Sequence, residues 1–546
     1  MSDSRSETKL EERKPAMSRL LVCMIGVVWL TLATLTLGSS GPENIQFLDD
    51  QAFLMGTAQA VRRGELLLSG LPSHLGARHP GPYYVYLQAA LSWLGGGDPV
   101  AVSRLFSVLK LLTPLLLVMA LVRTLDSQVN GYVAGLFSAV VGLSGYTLVV
   151  MRMDWVNYFI VPLSALFILA VVRVLAYGVS ALPFLLVAST LLIQPHLSPL
   201  PMLGAAWFVV IMYLVWTARD RSKQSTTTVS ERIVCLVATA ILWLPPLVYE
   251  FRYGHNLWSI ISNNLGKRPQ DVELSEIPGV LFGTLTEMVV GGSQVLSPLV
   301  LATLGFVCLF LVVRIVRVGP PARRMGALVV IVQSLMMVLA VSQVKPPVHN
   351  YYLISMYGPL LFLWGLLAQE ACSIVIGYVS KRDSHLITVG VAVLLLVIFA
   401  YSRGGALIGL RDASRGAVTE PYFTLQHSRD VGQIIARDAG DTAHVKVIAQ
   451  GAARLTTNAY YYGMTPVLRR EYMYAPRMIE LPVIQSALPE YTRGYLIECD
   501  ASEAPHEPTL GRKHSRDWRV GEQVDLSSCH SCTRCAMWRM SPLRTE

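Results

Sequence analysis

Long apolar runs, parted by short polar stretches, dominate residues 17–402. A membrane-crossing helix needs about 20 predominantly apolar residues. Such runs fall near 17–38, 103–123, 131–150, 156–177, 180–194, 199–217, 233–249, 295–316, 325–343, 351–371 and 386–402. The pattern predicts an α-helical polytopic membrane domain of about eleven spans over 17–402, after a short tail at 1–16. The 180–194 run is short and broken by proline. The first run is long, lacks a small-x-small cleavage site and is followed by more spans, so it reads as a retained helix rather than a leader. Beyond 403 the pattern shortens. A helix-like stretch (Ser428–Asp438), strand-like runs "HVKVIAQ" and "RGYLIEC", and Gly/Pro turns predict a small α/β domain over 403–546.

Charge adds orientation to this layout. Only 15% of residues are charged and 53% are hydrophobic, against about 25% charged in soluble domains. The net charge of +9 is placed as a membrane protein places it, so nucleic acid is not an expected partner. Arg5, Lys9, Arg13, Lys14 and Arg19 mark the N-terminal tail as cytoplasmic. The basic linkers 219–232, 314–324 and 381–382 then fall on the same side. The opposite face receives a first outer loop at 39–101, the turns 151–156 and 194–198, a loop at 250–294, the 344–350 segment and the C-terminal domain.

The first outer loop carries candidate chemistry. Asp49 and Asp50 precede a helix-compatible segment, Gln51 to Arg63, with Phe53, Leu54, Ala58 and Val61 near one face. That spacing predicts a helix lying in the membrane interface, and one of the acids could serve as its N-cap. Arg62, Arg63, Arg78, Arg152, Lys267, Arg268 and Lys345 fall on the outer side against the positive-inside trend. Cations there suit an anionic group such as a lipid phosphate, although each alone also reads as a snorkelling side chain. Three further segments share this depth: "MRMDWVNYFIVPL" with Arg152, Asp154 and Asn157; "LLIQPHLSPLP" with Gln194, His196 and Ser198; and "VKPPVHNYYLISMYGP" with Lys345, His349, Asn350 and Tyr351. Polar residues at successive outer helix ends suggest a water-accessible cavity on that face.

Cysteines divide along the same line. Cys23, Cys235, Cys308 and Cys372 lie in or beside expected spans, whereas Cys499, Cys529, Cys532 and Cys535 lie in the exported tail. Thiols in an oxidising compartment read as disulfides. The C-x-x-C-x-x-C run with His530 inside it leaves a zinc site as the alternative. The tail shows no P-loop, GxSxG or HExxH pattern and reads as a cap or brace.

These segments resemble the GT-C glycosyltransferases, in particular the protein O-mannosyltransferase-like group and the lipid A aminoarabinose transferases. "DDQAF" resembles the family's first-loop acid motif. "ARHPGPYYVYLQA" is similar to its Pro-Tyr-Tyr segment, "RMDWVNYFIVPL" to its R-x-x-W-N stretch, "QPHLSPLP" to its Q-x-H-x-S, and "VHNYYLISMYGP" to a late H-Y-x-L pattern. The resemblance implies a glycosyltransferase that takes a hexosyl or pentosyl group from a polyprenyl-phosphate donor and passes it, with inversion, to a lipid, glycan or protein acceptor. It carries the first-loop catalytic acid onto Asp50, with Asp49 as neighbour or alternate. Arg62, Arg63, Arg78, Lys267, Arg268 and Lys345 become donor-phosphate candidates. His79, Tyr83, Tyr84, Arg152, Asp154, Asn157, His196, His349 and Tyr351 become sugar or acceptor candidates. Because cations suit a monophosphate leaving group, no metal and no cofactor is expected. Here Asp-Gln stands for the family's Asp-Glu, Arg78-His79 for its Lys, and Asp154 for a neutral residue. These departures bear on which sugar and acceptor are used.

Two other readings compete: a flippase of lipid-linked intermediates, and an oligosaccharide ligase with a diphosphate-linked donor. A transporter should show inverted repeats and midplane charges; the polar groups here crowd outer helix ends instead. The short cysteine-bearing tail and the lack of a retention signal suit a bacterial inner membrane with the C-terminal domain in the periplasm.

Overall fold

The computed structural model describes residues 49–71, 78–124, 156–217, 228–254, 298–341, 350–378, 425–439, 445–451, 493–499, 518–527 and 535–542, with a few positions between 23 and 30 and at 256–259. Helices make up the membrane part. In chain order they are α1 (Asp49–Arg62), α2 (Tyr83–Leu94), α3 (Pro99–Lys110), α4 (Leu112–Thr124), α5 (Val156–Tyr177), α6 (Leu182–Ile193), α7 (Leu200–Thr217), α8 (Val229–Tyr253), α9 (Pro298–Val318), α10 (Pro321–Val341) and α11 (Tyr357–Tyr378). Among the described residues, five segments are long and apolar enough to cross a bilayer: Pro99–Thr124, Phe159–Ile193, Leu200–Thr217, Val229–Tyr253 and Pro321–Val341. The chain is a multi-pass membrane protein. The runs at 131–150 and 386–402, and most of 17–38, lie outside the described residues.

Local sequence explains the breaks. The 156–177 and 180–194 runs are one apolar stretch folded back on itself at the 3₁₀ turn Gly178–Ala181, where Gly178 takes φ 66°, so that α5 and α6 pack together. Asp98 caps α3 by accepting from the Val100 and Ala101 N–H groups at 3.2 and 3.3 Å, with Pro99 following it. Helix α5 is buried almost throughout and forms the axis against which α4, α6 and α11 pack. Gly358 makes the closest of these approaches. A Cβ there would lie 2.5 Å from Ala165 N and Ser164 Oγ.

Helix α1 differs from the sequence expectation. Gln51, Ala52, Phe53, Leu54, Met55, Thr57, Ala58 and Ala60 are all buried, which leaves no solvent face along most of its length. It is enclosed by protein and packs against α2, with Gln88 Nε2 donating to Met55 Sδ. The apolar spacing was real, but the small residues Ala52, Ala58 and Ala60 admit close neighbours on the other sides too. The helix starts at Asp49, so both acids occupy its first turn instead of standing before it. Negative charge there complements the helix dipole.

The C-terminal part contains α12 (Leu425–Ala439) and a four-stranded sheet of β1 (Val445–Gly451), β2 (Arg493–Cys499), β3 (Trp518–Val524) and β4 (Cys535–Pro542) in the order β1-β2-β4-β3. β1 and β2 are parallel, and β4 is antiparallel to both its neighbours. Consecutive residues Tyr495, Leu496 and Ile497 are all buried, so both faces of the central strand are covered. Asp438 ties α12 to the sheet, accepting from Tyr495 Oη at 2.7 Å and Arg539 Nε at 2.9 Å. That contact raises the Arg539 guanidinium further above its usual range. Cys535 is disulfide-bonded and stands opposite Cys499 in the strand register; Cys529 and Cys532 lie outside the described residues. The N-terminus of α12 meets the membrane part, where Leu425 joins its apolar core and Arg429 pairs with Asp98 at 3.2 Å.

Candidate functional site

The site is built where α2, α6 and α8 meet at the ends assigned to the outer face. Chain 64–71 returns alongside α2 after α1. Gly70 N–H donates to His79 O at 3.0 Å and His79 N–H to Leu71 O at 2.8 Å. This short bridge fixes the His79-Pro80-Gly81-Pro82 turn. The buried His79 ring then lies over His196, centroids 4.8 Å apart and tilted by 32°. Two motifs more than a hundred positions apart in the chain are thus brought into ring contact.

His196 is oriented by its own turn. Its Nδ1 accepts from the Ser198 backbone N–H at 3.1 Å and lies 3.0 Å from Ser198 Oγ. A nitrogen that accepts a backbone N–H is unprotonated, so the neutral ring carries its proton on Nε2. Tyr83 donates to Leu191 O at 2.6 Å. Burial pushes the Tyr83 phenol well above the ordinary tyrosine range, which keeps it a neutral donor.

Gln194 joins the outer loop to the spans. Helix α8 contains Pro245 and Pro246, and Pro246 has no N–H to offer the Leu242 carbonyl four residues earlier. Gln194 Nε2 supplies that donor at 2.8 Å, while Gln194 O accepts from Gly81 N–H at 3.3 Å. Gln194 Oε1 is buried with no conventional hydrogen-bond partner among the described residues. It rests against Gly81, where a Cβ would lie only 2.1 Å from it, close enough for a Cα–H···O contact. Just beyond α8, Asn256 clasps the Arg78 backbone in both directions, accepting from its N–H at 2.8 Å and donating to its carbonyl at 3.2 Å.

Gly81→Ala tests this joint. The methyl group displaces Gln194 and frees the Leu242 carbonyl, an overpacking cost of about 1–3 kcal/mol. Thermal unfolding in detergent is expected to show the loss. The double variant Gly81→Ala/Gln194→Ala, which reopens the space, should recover part of it; additive losses would show that the two residues are not coupled.

Helices α1 and α2 run parallel, since Met55 meets Gln88 and Arg62 Nη1 donates to Ser92 Oγ at 3.0 Å. The backbone start of α1, with Asp49 and Asp50, therefore shares an end with Tyr83 and the His79 turn. Arg62 and Arg63 close the opposite end of this 14-residue helix, about 20 Å away at 1.5 Å per residue. Arg63 pairs there with Glu65 at 3.8 Å. Arg62 and Arg63 therefore stand at the far end of α1 from the Arg78 turn, so a subset of the outer cations that meets one phosphate draws on one end of this helix or the other. Tyr84 also differs from expectation: it is 2% exposed and packs on Phe106 and Phe159 with centroids at 5.4 and 5.2 Å, forming core. The backbone places Asn157 in the first turn of α5 and Tyr351 in the 3₁₀ turn Asn350–Met356. Arg152, Asp154, Lys267, Arg268, Lys345 and His349 lie outside the described residues. Among the described residues, no group of three or more His, Cys, Asp or Glu could hold a metal ion.

Sequence reasoning missed Asn256, Lys110 and Glu370. Asn256 had no signal, being 178 positions from its partner. Fully buried Lys110 and nearly buried Glu370 did have one, as lone charges inside apolar runs.

No protein-family model matches the chain, and no curated protein matches it by sequence. Its fold is found in solved structures. The crystal structure of ArnT from Cupriavidus metallidurans bound to undecaprenyl phosphate aligns over 95% of this chain and 97% of that one, with 11% identity and a TM-score of 0.52. The apo state of the same protein aligns with the same coverage, identity and TM-score. The apo oligosaccharyltransferase of Archaeoglobus fulgidus aligns over 83% of this chain and 65% of that one at 12% identity, with a TM-score of 0.40. The chain therefore shares the fold of that ArnT structure.

Proposed function

We propose that this GT-C-fold chain is a glycosyltransferase that moves a sugar from a polyprenyl-phosphate donor to an acceptor at the outer face of the membrane. The observation that carries this reading is the meeting of the His79–Tyr83 and Gln194–Ser198 segments, His79 over His196 at 4.8 Å, at the same end as the start of α1. The ArnT relative supports the donor class, since that protein was crystallised with undecaprenyl phosphate.

In this reading Asp50 takes the proton from the acceptor hydroxyl while the phosphate leaves from the other side of C1, which inverts the anomeric centre. Asp49 adjusts the local charge. Arg78 with Lys267, Arg268 and Lys345 neutralises the developing phosphate charge, so no metal is required. His79, Tyr83 and His196 line the sugar site as hydrogen-bonding groups, and Asn157, Arg152, Asp154, His349 and Tyr351 serve as further sugar or acceptor contacts. The membrane domain has about eleven spans with the N-terminus cytoplasmic, and the C-terminal domain lies in the periplasm of a bacterial inner membrane. The Leu425 and Arg429 contacts make that domain a brace on the loop before α3.

The test is donor consumption by purified protein in detergent, offered undecaprenyl-phosphate-linked hexoses and pentoses. Release of sugar that depends on water or an acceptor is expected from at least one donor. A protein that consumes none but carries a lipid-linked sugar across a vesicle bilayer would be a flippase instead.

A further inference from the structure

Two polar side chains deep in the membrane domain play no part in the site above. Gln333 lies on α10 and Ser355 in the 3₁₀ turn Asn350–Met356 before α11; both are 0% exposed. Among the described residues, Gln333 Nε2 and Oε1 and Ser355 Oγ have no hydrogen-bond partner. Neighbouring polar groups do: Ser164 Oγ donates to Val161 O at 2.8 Å and accepts from Gly358 N–H at 3.0 Å. Inside a bilayer an unmet amide is costly enough that such groups mark function rather than packing.

Packing puts the two at one level. Helices α10 and α11 run antiparallel, and a Cβ on Gly326 would lie 3.2 Å from the Phe362 ring. Seven residues up from Gly326 is Gln333, and seven residues up the opposing chain from Phe362 is Ser355. The 3₁₀ turn that carries Ser355 also packs on α10. Gln333 sits eight residues before Val341, about 12 Å inside the outer end of α10. Ser355 follows the sugar or acceptor candidate Tyr351 by four residues, about 8 Å of 3₁₀ rise.

We infer that Gln333 and Ser355 form a subsite for neutral hydroxyl groups of the transferred sugar, beneath the outer cluster. The inference rests on the transferase reading. The chemistry selects the ligand class: a primary amide offers two N–H donors and a carbonyl acceptor, and a hydroxyl offers one of each. Together they match adjacent sugar hydroxyls, which both donate and accept. They do not match a phosphate, which only accepts and would face the amide oxygen. A site built to pair hydroxyls also discriminates strongly between sugars that have them and sugars that lack them.

The test measures binding of undecaprenyl-phospho-mannose, undecaprenyl-phospho-arabinose and bare undecaprenyl phosphate to wild type, Gln333→Leu and Ser355→Ala in nanodiscs. Wild type should prefer at least one sugar-bearing lipid over the bare lipid. Gln333→Leu should weaken that lipid about tenfold or more and leave the bare lipid within about twofold, with thermal stability undiminished because no buried amide is left unmet. Ser355→Ala removes a single oxygen and should shift in the same direction, which decides the matter if the leucine variant does not fold. Equal losses for sugar-bearing and bare lipids, or no change in either, would overturn the subsite; the latter would mean that the pair binds water alone. A wild type that prefers the sugar-bearing lipid yet turns over none would instead sink the transferase reading and leave the subsite standing.

Discussion

Asp50→Asn is expected to leave donor binding intact and to slow sugar transfer by about two to four orders of magnitude, the range assigned to a positioned general base. Asparagine keeps the size and the place in the first turn of α1 but cannot accept a proton. The effect therefore belongs in kcat and not in KM, because an interaction made only in the transition state is lost. Asp49→Asn is the control. It shares the same helix start and the same dipole but, as the neighbour, should cost much less. The measurement is single-turnover transfer from a radiolabelled donor, with binding followed separately. Wild-type rates in the Asp50 variant and a collapse in the Asp49 variant would move the base one position. Wild-type rates in both would remove the first-loop acids from the chemistry.

Periodicity was a good guide wherever one face decides the element. The run at 199–217 is helix Leu200–Thr217, that at 325–343 is Pro321–Val341, and the strand-like "RGYLIEC" is strand Arg493–Cys499. It misled at α1, because a pattern of apolar positions shows which residues avoid water but not how many neighbours cover the rest. The contact of His79 with His196 is half legible: both are polar residues in segments expected at outer helix ends, yet nothing in either segment names the other. The Gln194 bridge shows why. Its role depends on a carbonyl freed by Pro246 on a helix two elements later and on the bare α-carbon of Gly81. Single residues carry the chemistry, whereas pairings across the bundle decide which of them share a site. The separation of Arg62 and Arg63 from Arg78 has the same origin. All three were outer-face cations in the sequence, and only the length and direction of α1 show that they stand far apart.

Removing one carboxylate from the opposite end of the bundle should have the largest effect on stability. Glu370, 7% exposed in its side chain, accepts from Arg314 Nε at 2.6 Å and from Arg323 Nη1 at 3.0 Å. Those three residues tie α9, α10 and α11 together where the basic 314–324 linker turns. Glu370→Ala takes the carboxylate from between two guanidinium groups, of which Arg323 is only 9% exposed while the Arg314 side chain is 43% exposed, so the cost falls mainly on Arg323. Breaking a buried pair by removing one partner costs about 3–5 kcal/mol. A clear fall in the unfolding temperature in detergent is the expected reading. The ions need not be strongly stabilising in themselves, because the cost of desolvating Glu370 and Arg323 offsets much of their attraction. The triple variant Arg314→Met/Arg323→Met/Glu370→Leu should therefore recover most of the stability that Glu370→Ala loses. If the triple variant is as unstable as the single one, the triad holds the three helices through its bonds and not merely by avoiding an uncompensated charge. If Glu370→Ala unfolds like wild type, solvent reaches both arginines and the triad is a surface pair.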